Sequence, residues 1–280
     1  MSRIQLVLLT AMVMVAFAAN SLLCREALSA GDIGAASFTF VRIISGAAIL
    51  SLLLLVKFRS YQLGGSWWSA AALFVYAAAF SFAYISLSAG TGALLLFGAV
   101  QTTMIVYGLW AGERLTIYQI VGAVAAGGGI VWLMLPGIES PPLLGAILML
   151  LSGISWGAYS LLGRGTADPT AATAGNFMRA VPFAVILLAV IGDAQVTWVG
   201  VAYASASGAL ASGMGYALWY AVLPALAATT AATIQLSVPV IAAFGGVLLL
   251  GEAVTLRFGL ASIAVLGGVF LFVASKHKAL

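Results

Sequence analysis

Ten runs of about 20 apolar residues, separated by short polar or turn-forming segments, make up most of this 280-residue chain. As an α-helix, a run of that length crosses the roughly 30 Å hydrocarbon core of a bilayer. The composition agrees, because 64% of the residues are apolar and only 6% are charged, whereas soluble domains contain about 25% charged residues. The sequence therefore predicts an all-α polytopic protein in a lipid bilayer, with no room for a separate soluble domain.

Polar and turn-forming clusters set the limits of the spans. The predicted spans are residues 4–25, 34–56, 67–88, 91–111, 116–135, 143–163, 171–192, 198–222, 229–250 and 256–275. We interpret all of them as helices, because an open sheet cannot satisfy its backbone in lipid and these runs are too long for barrel strands.

The basic residues predict the orientation of the chain, since an even number of spans puts both termini on one side. With the termini inside, seven basic residues fall in cytoplasmic segments and two in outer segments. The seven are Arg3, Lys57, Arg59, Arg114, Arg164, Lys276 and Lys278. The sequence thus predicts cytoplasmic termini. A secretory signal cleaved after Ala16-Phe17-Ala18 is the alternative, but the apolar run continues unbroken to Leu23.

The two halves of the chain resemble each other at a shift of 137 to 139 residues. Residues 17–25 and 156–164 are identical at five of nine positions, and Gly112-Glu113 aligns with Gly251-Glu252. Charged residues are rare in this chain, so their alignment in order at one spacing indicates an internal repeat rather than shared composition.

The repeat divides the chain into residues 1–137 and 138–280, each with five predicted spans. Because five is odd, the second half enters the membrane in the opposite orientation to the first. Such an inverted repeat gives two conformations of similar energy, which alternating access requires. The alternative is a duplication that only builds a stable bundle.

Three of these features together resemble the EamA branch of the drug/metabolite transporter superfamily. They are ten spans arranged as five plus five, a patch of small, polar and aromatic residues in the first and sixth spans, and Gly-Glu after the fourth and ninth. The resemblance covers essentially the whole chain, and within the branch it is greatest to aromatic amino-acid exporters of the YddG type. It implies a small-metabolite carrier of the bacterial inner membrane, with a central cavity lined mainly by spans 1, 3, 4, 6, 8 and 9.

Polar and aromatic residues on one helical face inside a span are candidates for the lining of that cavity. The candidate substrate-binding residues are Asn20, Tyr76, Phe80, Tyr84, Gln101, Trp156, Tyr159, Tyr216, Trp219 and Gln235. Rings suit an apolar side chain, and amides and hydroxyls suit the polar groups of an amino acid. The alternatives are packing for the rings and interhelical hydrogen bonding for the amides. Tryptophans near span ends are assigned to the aromatic belt instead.

Arg42 and Arg179 fall within spans, where a charged side chain requires a partner. One interpretation is a clamp for a substrate carboxylate. We favour the other, in which each guanidinium reaches an acid at a helix end, such as Asp32 or Asp168, or a helix-end carbonyl.

All acidic residues lie at or outside the ends of the predicted spans. They are Glu26, Asp32, Glu113, Glu139, Asp168, Asp193 and Glu252. A carrier of lipophilic cations, or one with a carboxyl proton relay, would need an acid in the middle of the membrane, so both are disfavoured. Glu113 and Glu252 are expected to cap the helices that follow them.

Catalysis and metal binding are not expected. The single Cys24 and single His277 cannot form a His/Cys metal cluster. Residues 153–157, Gly-Ile-Ser-Trp-Gly, have the spacing of a nucleophile elbow, but no strand precedes them and no histidine partner is present. We interpret the two glycines as sites of close helix packing.

The sequence therefore predicts a carrier rather than an enzyme, without cofactor or metal. It would export aromatic and other apolar amino acids by alternating access through an aromatic-lined cavity. Its partners would be the small-molecule substrate and the bilayer but no nucleic acid, and a homodimer is left open. The alternatives are a broad-specificity metabolite or drug exporter, a membrane scaffold and an intramembrane enzyme.

Overall fold

The computed structural model describes residues 2–58, 63–112, 114–137, 139–164, 166–193, 195–226, 231 and 234–275. Regular structure in these residues is helical, and one isolated antiparallel bridge joins Ile33 to Val196. The helices are α1 (Arg3–Ser29), α2 (Ala35–Phe58), α3 (Trp67–Tyr84), α4 (Ala89–Trp110), α5 (Ile117–Met134), α6 (Leu143–Leu162), α7 (Pro169–Ile191), α8 (Trp198–Ser205), α9 (Gly215–Val222), α10 (Ser237–Leu250) and α11 (Leu256–Ser275).

A π-helical segment, Ala206–Met214, joins α8 to α9, and the three together form the predicted eighth span. Eight helices, α1 to α7 and α11, are long and apolar enough to cross a membrane. These eight confirm eight of the predicted spans. The shorter α10 forms the second part of the predicted ninth span, and residues 229, 230, 232 and 233 of that span lie outside the described residues.

Short polar side chains set the starts of many of these helices. Each accepts a hydrogen bond from a backbone N–H in the first turn, which lipid could not satisfy. These caps are Ser2 for α1, Ser66 for α3, Ser88 for α4, Thr116 for α5, Asp168 for α7 and Thr197 for α8.

The helix ends gather at two opposite ends of the bundle. At one, Arg25 from the C-terminal part of α1 contacts Glu252, which precedes α11. At the other, Arg179 of α7 contacts Gly64, which lies between α2 and α3. We call these the Glu252 end and the Gly64 end. The basic residues of the sequence predict that the Gly64 end faces the cytoplasm.

Helices from the two halves of the chain interleave. α2 packs against α7, α5 against α11 and α4 against α10. α6 packs against α3 and α4, and α1 packs against the eighth span and α10. If span 1 is exchanged with span 6, span 2 with span 7, and so on through the chain, the same set of helix pairings results.

Glycines allow several of these helices to approach closely. A Cβ on Gly122 of α5 would lie 2.5 Å from the carbonyl oxygen of Gly268 of α11, and the reverse distance is the same. On α6, a Cβ at Gly153 would meet the Leu96 carbonyl oxygen at 2.5 Å, and one at Gly157 would meet Thr103 at 2.9 Å. The prediction that these two α6 glycines serve close helix packing is confirmed.

The tryptophans assigned to the aromatic belt lie on the surface. Trp68, Trp110 and Trp198 are 80%, 91% and 88% exposed. All three lie at helix ends, as the assignment to an aromatic belt requires.

Candidate functional site

The side chain of Arg42, from α2, lies inside the bundle and is only 1% exposed. Its Nη2 donates to the Tyr76 hydroxyl at 2.8 Å, and its Nε donates to Ser212 Oγ at 3.3 Å. The remaining nitrogen, Nη1, is buried without a hydrogen-bond partner among the described residues. Buried N–H groups are nearly always paired, so this nitrogen marks a place for an acceptor.

No carboxylate that the structure describes forms an ion pair with Arg42. Asp32 instead accepts from Thr197 Oγ1 at 3.3 Å, and Asp193 accepts from the Ser37 backbone N–H at 2.6 Å, both at the Glu252 end. The pairing with an end acid that we expected for Arg42 is therefore wrong. The reason is geometric: α2 directs the guanidinium toward α3 and the eighth span, away from the helix ends.

Aromatic rings surround the guanidinium. Its carbon atom lies 5.0 Å from the ring centre of Tyr76 and 4.9 Å from that of Phe80. The ring of Trp156 lies 4.8 Å from Tyr76 and 5.0 Å from Tyr216. We call Tyr76, Phe80, Trp156, Tyr159 and Tyr216 the ring cluster. Ring faces attract cations, so Tyr76 and Phe80 stabilise the guanidinium charge, which none of the described carboxylates neutralises.

A chain of hydrogen bonds reaches the same hydroxyl from α1. Ser207 Oγ donates to Asn20 Oδ1, and Asn20 Nδ2 donates to the Tyr76 hydroxyl at 3.3 Å. Ser207 and Ser212 both belong to the π-helical segment. Its wider turn brings residues five apart close to one face, so both serines point toward α1 and α2.

Glycines hold the π-helical segment against α2. A Cβ on Gly208 would collide with the carbonyl oxygen of Arg42, and one on Gly46 would lie 3.2 Å from the carbonyl oxygen of Gly208. The backbone of the eighth span therefore touches α2 beside the buried arginine. This contact brings Ser212 within reach of the Arg42 side chain.

Tyr159 lies at one edge of the ring cluster, and Tyr84 and Trp219 lie next to the cluster. Tyr159 stacks on Trp156 at 5.4 Å and accepts from Asn176 Nδ2 at 3.4 Å. Tyr84 lies against Phe80 at 4.7 Å and donates its hydroxyl to the Ala89 carbonyl. Trp219 contacts Phe17 at 6.2 Å, and Phe17 also contacts Tyr216 at 5.9 Å.

Not every predicted residue joins this arrangement. Gln101 and Gln235 are half-buried, and neither takes part in the hydrogen bonds around Arg42 described above. Arg179 donates to the Gly64 carbonyl at 2.6 Å. Its guanidinium is thus engaged by a loop carbonyl, unlike that of Arg42, although the two arginines align in the repeat.

Sequence reasoning missed Ser207 and Ser212. An α-helix brings residues that are three, four or seven positions apart to one face, and the predicted candidates follow these spacings. The two serines are five residues apart and share a face only because the helix widens. Their signal in the sequence is the stretch of residues 205–213, which consists only of Gly, Ala, Ser and one Leu inside an apolar span.

A second polar cluster lies at the Glu252 end. Arg25 Nε lies 3.3 Å from Glu252 Oε1, and Arg25 Nη1 donates to the carbonyls of Tyr84 and Ile85 at 3.1 Å. The Glu252 carboxylate also accepts from the Ala89 backbone N–H, at the start of α4. These contacts join α1, α3, α4 and the segment before α11.

The expectation that Glu252 caps the following helix is therefore wrong. Thr255 performs that role, since its hydroxyl accepts from the Phe258 backbone N–H at 3.1 Å. Glu252 is held at α4 instead because Arg25 and the free N–H groups of that helix start both attract its charge. Glu113, for which the same role was expected, lies outside the described residues.

Two clefts lie toward the ends of the bundle. One, of about 230 Å³, lies at the Glu252 end and is bordered by Glu139, Glu252 and Phe258. The other, of about 310 Å³, lies at the Gly64 end beside Asp168 and Tyr220. Around Arg42 itself the rings touch one another, so a ligand there requires the helices that carry them to separate.

Comparison with known proteins agrees with this architecture. Residues 143–274 match the EamA-like transporter family. The chain is 56% identical over 271 residues to "Uncharacterized protein PA1977" of Pseudomonas aeruginosa, which covers 96% of this chain and 94% of that one. It is 25% identical over 177 residues to "Uncharacterized transporter YoaV" of Bacillus subtilis. This match covers 59% of this chain and 61% of that one.

The fold is also present in a solved structure. A protein described as "Crystal structure of protein" superposes with a TM-score of 0.70 over 99% of this chain and 100% of that chain. The two sequences are 17% identical, so this similarity concerns the arrangement of the helices alone.

Proposed function

We propose that this chain, in which residues 143–274 match the EamA-like transporter family, exports aromatic and other apolar amino acids across the bacterial inner membrane by alternating access. One observation carries the proposal. Arg42 is 1% exposed and its Nη1 has no partner among the described residues, yet aromatic rings surround it. A buried guanidinium with a free N–H group and no acid beside it fits an anionic group of a substrate.

An aromatic amino acid matches this environment in two ways. Its carboxylate accepts from Arg42 Nη1 and replaces the missing partner. Its side-chain ring packs against Trp156 and Tyr216, which lie 5.0 Å apart. Offset contacts between aromatic rings stabilise by about 0.5–1.5 kcal/mol beyond area burial, so the site favours aromatic over small aliphatic side chains.

Alternating access follows from two inverted halves, residues 1–137 and 138–280, which we propose as the functional units. The mapping of the helix pairings onto one another supports this division. So does the position of the site, where Arg42 and Tyr76 of the first half meet Trp156 and Ser212 of the second. A substrate between the halves is released when they rock relative to each other.

We propose that the Glu252 end is closed in this conformation. The Arg25–Glu252 ion pair and its contacts with Tyr84 and Ala89 hold that end shut. We propose that this is the outer end, so the substrate enters from the cytoplasm at the Gly64 end. Export then requires these contacts to break.

Transport by purified protein in liposomes tests the proposal. Vesicles loaded with labelled phenylalanine or tryptophan are expected to lose label faster than protein-free vesicles. Replacement of Arg42 by glutamine is expected to abolish this efflux, because Gln lacks the positive charge. Replacement of Arg3, an exposed arginine at the start of α1, by glutamine is the matched control and is expected to retain efflux.

The result also separates the alternatives. If labelled amino acids stay inside while unrelated amphiphiles leave, the protein is a broad-specificity exporter and the amino-acid assignment fails. If no solute moves in a folded sample, the transport function itself is wrong. Equal efflux through the wild-type protein and the Arg42→Gln variant would contradict the assignment of Arg42 to the substrate site.

A further inference from the structure

The hydrogen atoms around Arg42 indicate which groups of a substrate the site recognises. The Tyr76 oxygen already accepts two hydrogen bonds, from Arg42 Nη2 and from Asn20 Nδ2. A neutral tyrosine hydroxyl that accepts two bonds has its hydrogen as its remaining hydrogen-bonding group, and here the Tyr216 hydroxyl is within hydrogen-bonding reach of Tyr76. Ser212 Oγ accepts from Arg42 Nε, and its hydrogen can donate in the same way.

Two oxygen atoms of the same region each already accept one hydrogen bond. Asn20 Oδ1 accepts from Ser207. The Tyr76 carbonyl oxygen accepts from Ser152 Oγ at 3.0 Å. The ring faces of Tyr76 and Phe80 are occupied by the Arg42 guanidinium itself. The site therefore presents N–H and O–H donors beside a positive charge that none of the described carboxylates offsets.

An ammonium group fits this environment poorly. It carries three donors and a positive charge, and in an amino acid it lies one carbon away from the carboxylate. With the carboxylate on Arg42 Nη1, the ammonium would stand close to the guanidinium. The six acidic residues that the structure describes form no ion pair with Arg42 that could offset this repulsion.

We infer that the site recognises the carboxylate and the aromatic ring but not the ammonium, so that aromatic monocarboxylates without an amine are the preferred ligands. The inference rests on the proposed function, since it concerns the same site and the same movement. It extends the substrate class from aromatic amino acids to arylalkyl carboxylates and to aromatic 2-oxo acids, the deaminated forms of those amino acids.

Three ligands that share a phenyl ring and a short carbon chain test this selectivity. 3-Phenylpropanoate has the carboxylate alone, phenylalanine has both charged groups, and phenethylamine has the ammonium alone. Binding is measured by competition with labelled 3-phenylpropanoate on the purified full chain. We expect 3-phenylpropanoate to bind about tenfold more tightly than phenylalanine, and phenethylamine at least about tenfold more weakly than phenylalanine.

Variants connect this selectivity to Arg42. Arg42→Gln is expected to lose binding of both carboxylates, whereas the surface variant Arg3→Gln leaves it unchanged. Ser212→Ala, a milder change that removes one hydroxyl donor, is expected to weaken both carboxylates several-fold without affecting phenethylamine. If size-exclusion chromatography shows that Arg42→Gln does not fold, the Ser212→Ala variant still tests the selectivity.

The outcomes distinguish the two proposals. If phenylalanine binds and moves but 3-phenylpropanoate binds more weakly, the site recognises the ammonium and the inference is overturned while the proposed function stands. If phenethylamine binds most tightly, the site is not an anion site and the inference is also overturned. If none of the three ligands binds to folded protein, both the inference and the proposed function fail.

Discussion

Arg25 and Glu252 are 227 residues apart in the chain and form an ion pair at 3.3 Å. One residue comes from each half of the sequence, and both also contact the main chain near the meeting point of α3 and α4. The contact is only partly buried, so its Coulomb energy alone is modest. Its significance is structural, because it joins four separate parts of the bundle at one end.

Replacement of Glu252 by glutamine is expected to loosen this end. Gln cannot neutralise Arg25, and it offers one acceptor oxygen in place of two. Cys24 follows directly before Arg25, is fully buried and is the single cysteine of the chain, so it reports opening through its reaction with a maleimide. We expect the labelling rate of Cys24 to rise several-fold, with no comparable change for Glu139→Gln at an exposed position. An unchanged rate would contradict a closing role for the ion pair.

Replacement of Tyr76 by phenylalanine is expected to destabilise the fold. The hydroxyl accepts from both Arg42 and Asn20, and its loss leaves two buried donors without their partner. The cost is about 1–3 kcal/mol, more when a charged group is affected. Thermal unfolding in detergent should show a lower midpoint, while Tyr118→Phe, at a position 62% exposed, should leave it unchanged. Identical midpoints for wild type and Tyr76→Phe would indicate that these bonds are absent in the folded protein.

Replacement of Gly268 by alanine is expected to separate α11 from α5. The new Cβ would lie 2.5 Å from the Gly122 carbonyl oxygen, and a small-to-large change in a packed interface costs about 1–3 kcal/mol. At the adjacent Gly267, a Cβ would meet open space, with nothing within 4 Å of it. Gly267→Ala should therefore unfold at the wild-type temperature or above it. A loss of stability in both variants would attribute the effect to backbone conformation rather than to the contact.

Replacement of Trp156 by alanine is expected to reduce transport of aromatic substrates at least about tenfold, the equivalent of 1.4 kcal/mol. Its ring contacts Tyr76, Tyr159 and Tyr216 and forms the part of the ring cluster contributed by α6. Efflux from loaded vesicles measures the effect, with the surface variant Trp110→Ala as control. Undiminished efflux through Trp156→Ala would remove this residue from the substrate site.

The sequence was sufficient to predict most of the helices, because a lipid environment imposes both their minimum length and their apolar composition. The start of α3 at Trp67 and the extent of α6 from Leu143 agree with the predicted spans within one residue. The faces of α3 and α6 that carry Tyr76, Phe80 and Trp156 were also predictable, since α-helical spacing determines them.

The partners of the charged residues were not predictable. Arg42 binds Ser212, 170 positions away, and Glu252 binds the start of α4 rather than the helix that follows it. Both contacts depend on how distant helices pack, and no local pattern encodes that. The widening of the eighth span at Ala206–Met214 is a further departure from regular spacing, and it is what brings Ser207 and Ser212 to one side.

The touching backbones at Gly208 and Arg42 limit how the carrier can move. With no side chain between them, α2 cannot slide far along its neighbour without carrying the guanidinium away from Ser212. Under the proposed mechanism, rocking of one half against the other would therefore change the contact between Arg42 and a bound carboxylate in the same step. Release of the substrate and the change in which end of the bundle is open would then occur in one step rather than two.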